Sequence, residues 1–303
     1  DRPRSRGIYR AELDTASGTL TITGLAAELA DPTFLARTPD GRRLYAVSEI
    51  GDYGDASSGA VAAYAVDRAT GELTLLNMQP SGGAGPAYVA LDRTGRIVLV
   101  ANYGAGNVAS LPVAPDGRLE SPSQVWQHTG AGPQADRQEA PNAHCIVPDP
   151  ANRFALVADL GIDKLFVYPI DAAATRLDAS LQEVATRPGM GPRHLAFHPV
   201  LDIVYVSGEL DSTVTVYTYI PAAGALAEVQ HVATLPAGFT GENYPSEIAV
   251  APSGRFVYCA NRLHDSLAVF AVDPASGRLT PAGHVPLAGL QETAFPRHFA
   301  IDP

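Results

Sequence analysis

Apolar positions along this chain come in short alternating runs, and a turn former closes each run. Residues 245–282 show one full cycle. Glu247–Val250 is a short apolar run, Pro252-Ser253-Gly254-Arg255 a turn, and Phe256–Ala260 a second run. Asn261 to Asp265 is a polar corner, and Ser266–Asp273 alternates with period two. Pro274-Ala275-Ser276-Gly277 turns the chain again, and Arg278-Leu279-Thr280 starts a fourth run. Period two is the signature of strands, whose successive side chains point to opposite faces. At the turns proline presets φ and glycine supplies φ > 0. The cycle therefore predicts four antiparallel strands.

The cycle recurs. It starts at Pro32, Pro86, Pro141, Pro192 and Pro245, and opens once more at Pro296, at spacings of 54, 55, 51, 53 and 51 residues. The turn between third and fourth strands recurs as Asp14…Gly18, Asp67…Gly71, Asp116-Gly117 and Asp273…Gly277. Four strands in a repeat of about 50 residues predict the blade of a β-propeller. The WD dipeptide and the double glycine of kelch blades are absent. Residues 7–20 read as the outer half of an earlier blade, and 295–303 as the start of a further one. The expectation is all-β: a β-propeller of six or seven four-stranded antiparallel blades, with 1–303 as a single domain. Seven blades would need roughly another 40 residues after Pro303 on the repeat length, so the last blade is incomplete as written. Gly51–Ser58 and His128–Ala140 break the rhythm and read as rim loops.

A chain of 303 residues would suggest two domains by length alone, but the repeat overrides that prior. The net charge of −11 argues against nucleic acid and anionic membranes as partners. No apolar run reaches about 18 residues, so no membrane span is expected. Cys145 and Cys259 fall in separate strand-like runs and read as small buried hydrophobes, which favours a reducing compartment. No leader is visible, so a cytoplasmic location is expected, although the abrupt opening at Asp1-Arg2-Pro3 leaves room for a segment before it.

In an antiparallel hairpin the start of the first strand lies beside the end of the second. First-strand starts contribute His144, Arg193, His194, Glu247, Arg297 and His298. Second-strand ends contribute Glu49, Asn102, Tyr103, Asp159, Glu209, Asn261 and Arg262. Buried charges are costly unless paired. These residues either pair with one another around a water-filled channel or serve a ligand. His144, Arg193, Glu209 and Arg262 are the sharpest group: a base, an acid or base, and two forked cations suited to carboxylate or phosphate. A locally positive rim on an acidic chain points to a small anionic substrate. No Gly-x-Ser-x-Gly elbow, His-Glu-x-x-His pattern or three-His cluster occurs. Neither a serine nucleophile nor zinc is therefore expected, and no cofactor is implied. Carboxylates such as Glu49, Asp159 and Glu209 are those a divalent ion would use.

Several motifs carry a resemblance. They are Ala101-Asn102-Tyr103-Gly104, Arg137-Gln138…His144, Asp159-Leu160-Gly161-x-Asp163, Gly191-Pro192-Arg193-His194-x-x-Phe197-His198-Pro199, Glu209-Leu210-x-Ser212-Thr213-Val214 and Asn261-Arg262. With them the chain resembles the seven-bladed propeller lactonase family, which includes propeller-type 6-phosphogluconolactonases and fungal carboxy-cis,cis-muconate cyclases. The resemblance runs from about Gly7 to Pro303. It implies catalytic roles for His144, Arg193, Glu209 and Arg262. His194, Asn102, Asn261, Arg297 and Gln138 are the accompanying candidates for substrate binding. Asn142 stands where the bacterial pattern usually has a second histidine, and Leu263 replaces a common glycine. The implied function is hydrolysis of a small anionic sugar lactone. His144 would be the general base, Glu209 would orient it or share its proton, and Arg193 and Arg262 would hold the anion and the developing oxyanion. A muconate-type lactonising cycloisomerase and a non-catalytic binding propeller are the alternatives.

Overall fold

The computed structural model describes residues 5–54, 57–287 and 294–302. The chain divides into two compact units, Asp1–His128 with Ile170–Asp178, and Thr129–Pro169 with Ala179–Pro303.

In the first unit β1 (Gly7–Asp14) and β2 (Thr19–Glu28) form a two-stranded antiparallel sheet. β3 (Leu35–Arg37), β4 (Arg43–Ser48), β5 (Ala60–Val66) and β6 (Leu73–Pro80) form a four-stranded sheet in sequence order. β7 (Pro86–Leu91), β8 (Ile97–Asn102), β9 (Asn107–Pro112) and β10 (Gln124–Gln127) form another. The alternating positions read from the sequence build the core between these sheets. Tyr45, Val47, Val61, Val89, Val98, Val100, Ala109 and Leu111 pack as one buried cluster.

The second unit repeats the plan. β11 (Ala143–Pro148), β12 (Phe154–Asp159) and β13 (Lys164–Asp171) lie in order, and a short 3-10 turn, Leu160–Ile162, separates the last two. The last two residues of β13, Ile170 and Asp171, belong to the first unit and pair there with β14 (Arg176–Leu177), while its near end pairs with β15 (Gln182–Ala185). β16 (Pro192–Phe197), β17 (Ile203–Gly208), β18 (Thr213–Ile220) and β19 (Ala225–Ala233) make the next sheet. β20 (Tyr244–Val250), β21 (Phe256–Arg262), β22 (Ser266–Val272) and β23 (Leu279–Pro286) make the last. Tyr205, Val214, Val216, Ile248, Val257, Cys259 and Phe270 form the core between these two sheets.

Three details depart from the sequence reading. The strand β21 runs through Asn261 and Arg262, so these residues end a strand and do not begin the corner. Pro86, Pro192 and Pro245 stand opposite Asn102, Gly208 and Asn261, but in the blade between them it is Ala143, not Pro141, that stands opposite Asp159. The proline phrase is thus two residues out of register there. Residues 294–302 contain no strand among the described residues. The expected rim loop Gly51–Ser58 is described except for residues 55 and 56.

One tie recurs in both units. The Tyr45 hydroxyl donates to the Gly117 carbonyl at 3.1 Å, and the Tyr205 hydroxyl donates to the Gly277 carbonyl at 2.9 Å. Each links a second strand to the far turn of the next blade. Tyr205→Phe should cost about 0.5–1.5 kcal/mol, the usual net worth of one hydrogen bond. A urea midpoint shifted down at unchanged m-value would check it.

Candidate active site

The site belongs to the second unit, and the first strands of its blades place the side chains by breaking their own ladders. Between Pro192↔Gly208 and Leu195↔Val206 two residues, Arg193 and His194, face one. Between Pro245↔Asn261 and Ile248↔Cys259 the two are Ser246 and Glu247. In β11 the extra residue is His144. Such bulges re-aim side chains at strand ends. The displaced backbone groups are satisfied locally. The Ser207 hydroxyl accepts from His194 N at 3.1 Å and lies 3.2 Å from the Ser246 carbonyl, to which it donates.

Glu209, one residue past β17, is the centre of the charge network. Its Oε2 lies 2.9 Å from Arg193 Nε and 2.5 Å from Arg262 Nη2. Its Oε1 accepts from Arg137 Nη2. Burial would raise this carboxyl, but Arg193, Arg262 and Arg137 together outweigh burial and hold it below its ordinary value. A carboxylate clamped by three guanidinium groups is a poor base. Arg262 Nε also donates to the Tyr244 carbonyl at 2.9 Å, and Arg137 and Arg262 both lie over the Tyr244 ring, at 5.5 and 5.8 Å. Burial lowers Arg193 to about 10 despite Glu209, which leaves it cationic at neutral pH.

His144 and His194 lie edge to face with ring centroids 5.1 Å apart. Both are buried. Burial, then Arg193 and His194, lowers His144 well below 6.5. Burial lowers His194 too, against the raising influence of Glu247. Both imidazoles are therefore neutral at neutral pH. Glu247 Oε2 lies 3.2 Å from His194 Nδ1 and bonds His298 Nδ1. Burial would raise Glu247, but His194 and His298 hold it far below the ordinary carboxylate value.

The loop before Ala143 is pinned by a buried aspartate. Asp163, in the left-handed region at φ 52, accepts from Gly189 N at 2.6 Å, Gly191 N at 2.7 Å and Gln138 Nε2 at 2.8 Å. Gly191 has φ 58, and a Cβ there would meet Leu210 Cγ at 2.5 Å, so glycine is required. One carboxylate thus fixes both the strand that carries Arg193 and the loop that carries Arg137.

Of the sequence candidates, His144, Arg193, His194, Glu209 and Arg262 come together in this cluster. Arg297 is exposed, but its charge lowers His144, Arg193 and Arg262. Gln138 is fully buried and spends its amide on Leu160 and Asp163, so it shapes the loop. Asn261 is fully buried, donates to the Thr234 carbonyl at 2.8 Å and accepts from Asn243 at 3.0 Å, which makes it a blade fastener. Asn102 plays the same part in the first unit, donating to the Ser81 carbonyl and to Asn107. Asp159 caps the short 3-10 turn and accepts from Asn142 N at 2.7 Å. Arg137, Glu247 and His298 were not among the chosen site residues. The signal for the last two was their shared place in the repeat, and for Arg137 its adjacency to Gln138 in the motif. Among the described residues no group of three or more His, Cys, Asp or Glu is placed to hold a metal. No helix among them is long and apolar enough to cross a membrane. A cavity of about 330 Å³ borders Arg137 and Tyr244, while one of about 800 Å³ in the first unit contains none of the candidates.

Repeated four-stranded sheets in sequence order, with polar side chains gathered at first-strand bulges, define a β-propeller protein with a cationic, histidine-bearing site. The family model "Lactonase, 7-bladed beta-propeller" matches residues 1–303, and the chain belongs to that family. A 6-phosphogluconolactonase of Bacillus subtilis (strain 168) is 41% identical over 302 residues, which is 99% of this chain and 82% of that protein. A 6-phosphogluconolactonase of Pectobacterium carotovorum subsp. carotovorum (strain PC1) is 32% identical over 300 residues, covering 99% and 82%. The solved structure of a periplasmic gluconolactonase of Pseudomonas aeruginosa is 33% identical with a TM-score of 0.89, covering 99% of this chain and 84% of that one.

Proposed function

We propose that this chain hydrolyses a phosphorylated sugar lactone of the 6-phosphogluconolactone type at the cluster around Glu209. The observation that carries the reading is four arginines, Arg137, Arg193, Arg262 and Arg297, against two carboxylates, on a chain of net charge −11. That local excess of positive charge suits a dianionic group. The family match over 1–303 supports reading the chain as one propeller domain.

His144, neutral at the working pH, takes a proton from water as the water oxygen bonds to the lactone carbonyl carbon. A guanidinium has five N–H donors, and Glu209 pairs with a single nitrogen of Arg193 and of Arg262, so both arginines have other donors for the developing oxyanion. When the tetrahedral species collapses, the ring C–O bond breaks and the imidazolium returns its proton to the departing ring oxygen. The product is the open hydroxy acid. Glu209 orders the arginines and carries no proton.

The test is hydrolysis of 6-phosphoglucono-δ-lactone and glucono-δ-lactone by purified protein, beside a His144→Ala/Arg193→Ala variant. The expected kcat/KM favours the phosphorylated substrate by about 10–100-fold, the worth of one or two charge-assisted hydrogen bonds. Both activities should vanish in the variant. Wild-type protein that accelerates neither substrate would overturn the reading.

A further inference from the structure

His194 and Glu247 occupy the same position of successive blades, each the second residue after the proline near the start of the strand. His298 holds that position in the next repeat, since Pro296-Arg297-His298 restates Pro192-Arg193-His194. The three stand in series: His298 Nδ1 bonds Glu247 Oε2, and Glu247 Oε2 lies 3.2 Å from His194 Nδ1 as an ion-pair neighbour. The series continues, because His194 Nε2 lies 3.3 Å from Arg193 Nη1.

That last contact determines where the His194 proton sits. A guanidinium can only donate, so Nε2 must be the acceptor and Nδ1 must carry the hydrogen. The hydrogen on Nδ1 faces Glu247. Glu247 is locked in its turn: its Oε1 accepts from Ile248 N at 3.0 Å. Nothing in the lactonase chemistry above uses Glu247 or His298 directly. Both stand behind the arginine that meets the oxyanion.

We propose that Glu247 and His298 are positioning residues for the hydrolysis, acting through His194 to hold the Arg193 guanidinium in its catalytic orientation. Glu247 selects the Nδ1–H tautomer of His194, and that tautomer presents a lone pair to Arg193. The side chain of His298 is 54% exposed, so it secures Glu247 from the solvent side. Arg193 is thus held from two directions, by Glu209 at Nε and by His194 at Nη1. The inference rests on the lactonase reading for its kinetic consequence, but not for the tautomer.

Three variants and two readouts test it. Glu247→Gln should lower kcat about 10–100-fold with KM within about 3-fold, as expected when a transition-state donor is misplaced by a fraction of an ångström to an ångström. The acid limb of the rate should stay where His144 sets it. His298→Ala should give a smaller fall of the same kind. His298→Asn, which restores a donor near the Nδ1 position, should recover most of that loss. The exposed His298 pair also decides the matter if Glu247→Gln does not fold. Nitrogen NMR of the imidazole rings reads the tautomer whether or not a lactone is turned over. His194 should be Nδ1–H in the wild type and lose that preference in Glu247→Gln or, failing that, in His298→Ala. Unchanged kcat in both Glu247→Gln and His298→Ala would overturn the proposal. So would a lost acid limb in Glu247→Gln, since that would make Glu247 the base itself. An Nε2–H tautomer in the wild type would overturn it as well. Absence of any wild-type lactonase activity would instead count against the functional reading, leaving the tautomer result to stand or fall alone.

Discussion

His144→Ala should lower kcat by about 10²–10⁴-fold, the range for removing a positioned general base. The companion result is a shifted pH profile. Burial, with Arg193 and His194 beside it, lowers His144 well below 6.5. The base is neutral above its pKa and protonated below it. Activity in kcat/KM should therefore persist through pH 6.5 and fall only at distinctly more acid pH. A base of ordinary value would begin to lose rate near 6.5. The variant should lose the acid limb together with the rate, and a stopped assay of lactone consumption across pH would record both. A limb centred at 6.5 or above would mean that another group accepts the proton.

The second large effect is on stability. Glu209→Gln should destabilise the protein by about 3–5 kcal/mol, because removing one partner of a buried ionic network strands the others. The stranded groups are Arg193, Arg262 and Arg137, of which Arg193 is almost wholly buried. The pH sign follows from the depressed carboxyl. Its contribution is complete above the ordinary value of 4.5 and is lost as pH falls through the lower folded value. Wild-type stability should drop across that acid window more steeply than that of Glu209→Gln. Urea unfolding at a series of pH values would show the two curves converging towards acid pH. Parallel curves would mean that Glu209 is already neutral in the folded protein.

These two residues show how far the sequence could be read. The strands and the turns followed from period two and recurrent glycine turns, because those patterns are local. The meeting of His144 with Arg193, and of Glu209 with Arg262, followed from hairpin geometry applied to a repeat. Their roles did not. Glu209 looked like an acid or base, and only the three guanidinium groups around it turn it into a clamp. Arg137 arrives from a loop whose course depends on Asp163, which no periodicity foretells. The bulges at His144, Arg193 and Glu247 were also unreadable, since an extra residue in a ladder becomes visible only when the partner strand is aligned. The same blindness set the Pro141 phrase two residues out of register. Asn102, Asn261 and Gln138 were polar, internal and close to rim motifs, which sequence alone cannot distinguish from ligand contact. Their hydrogen bonds to backbone carbonyls account for the burial of all three.

The position held by His194 and Glu247 is filled in other blades by Cys145 and, in the first unit, by Tyr88 and Phe34, whose rings stack with centroids 3.9 Å apart. One backbone site therefore tolerates an aromatic ring, a thiol, an imidazole and a carboxylate with the strand pairing beyond it unchanged. The surroundings of the cluster are thus set by single letters at one address per blade, so the support given to its arginines can be altered by varying that address blade by blade, with the scaffold left alone.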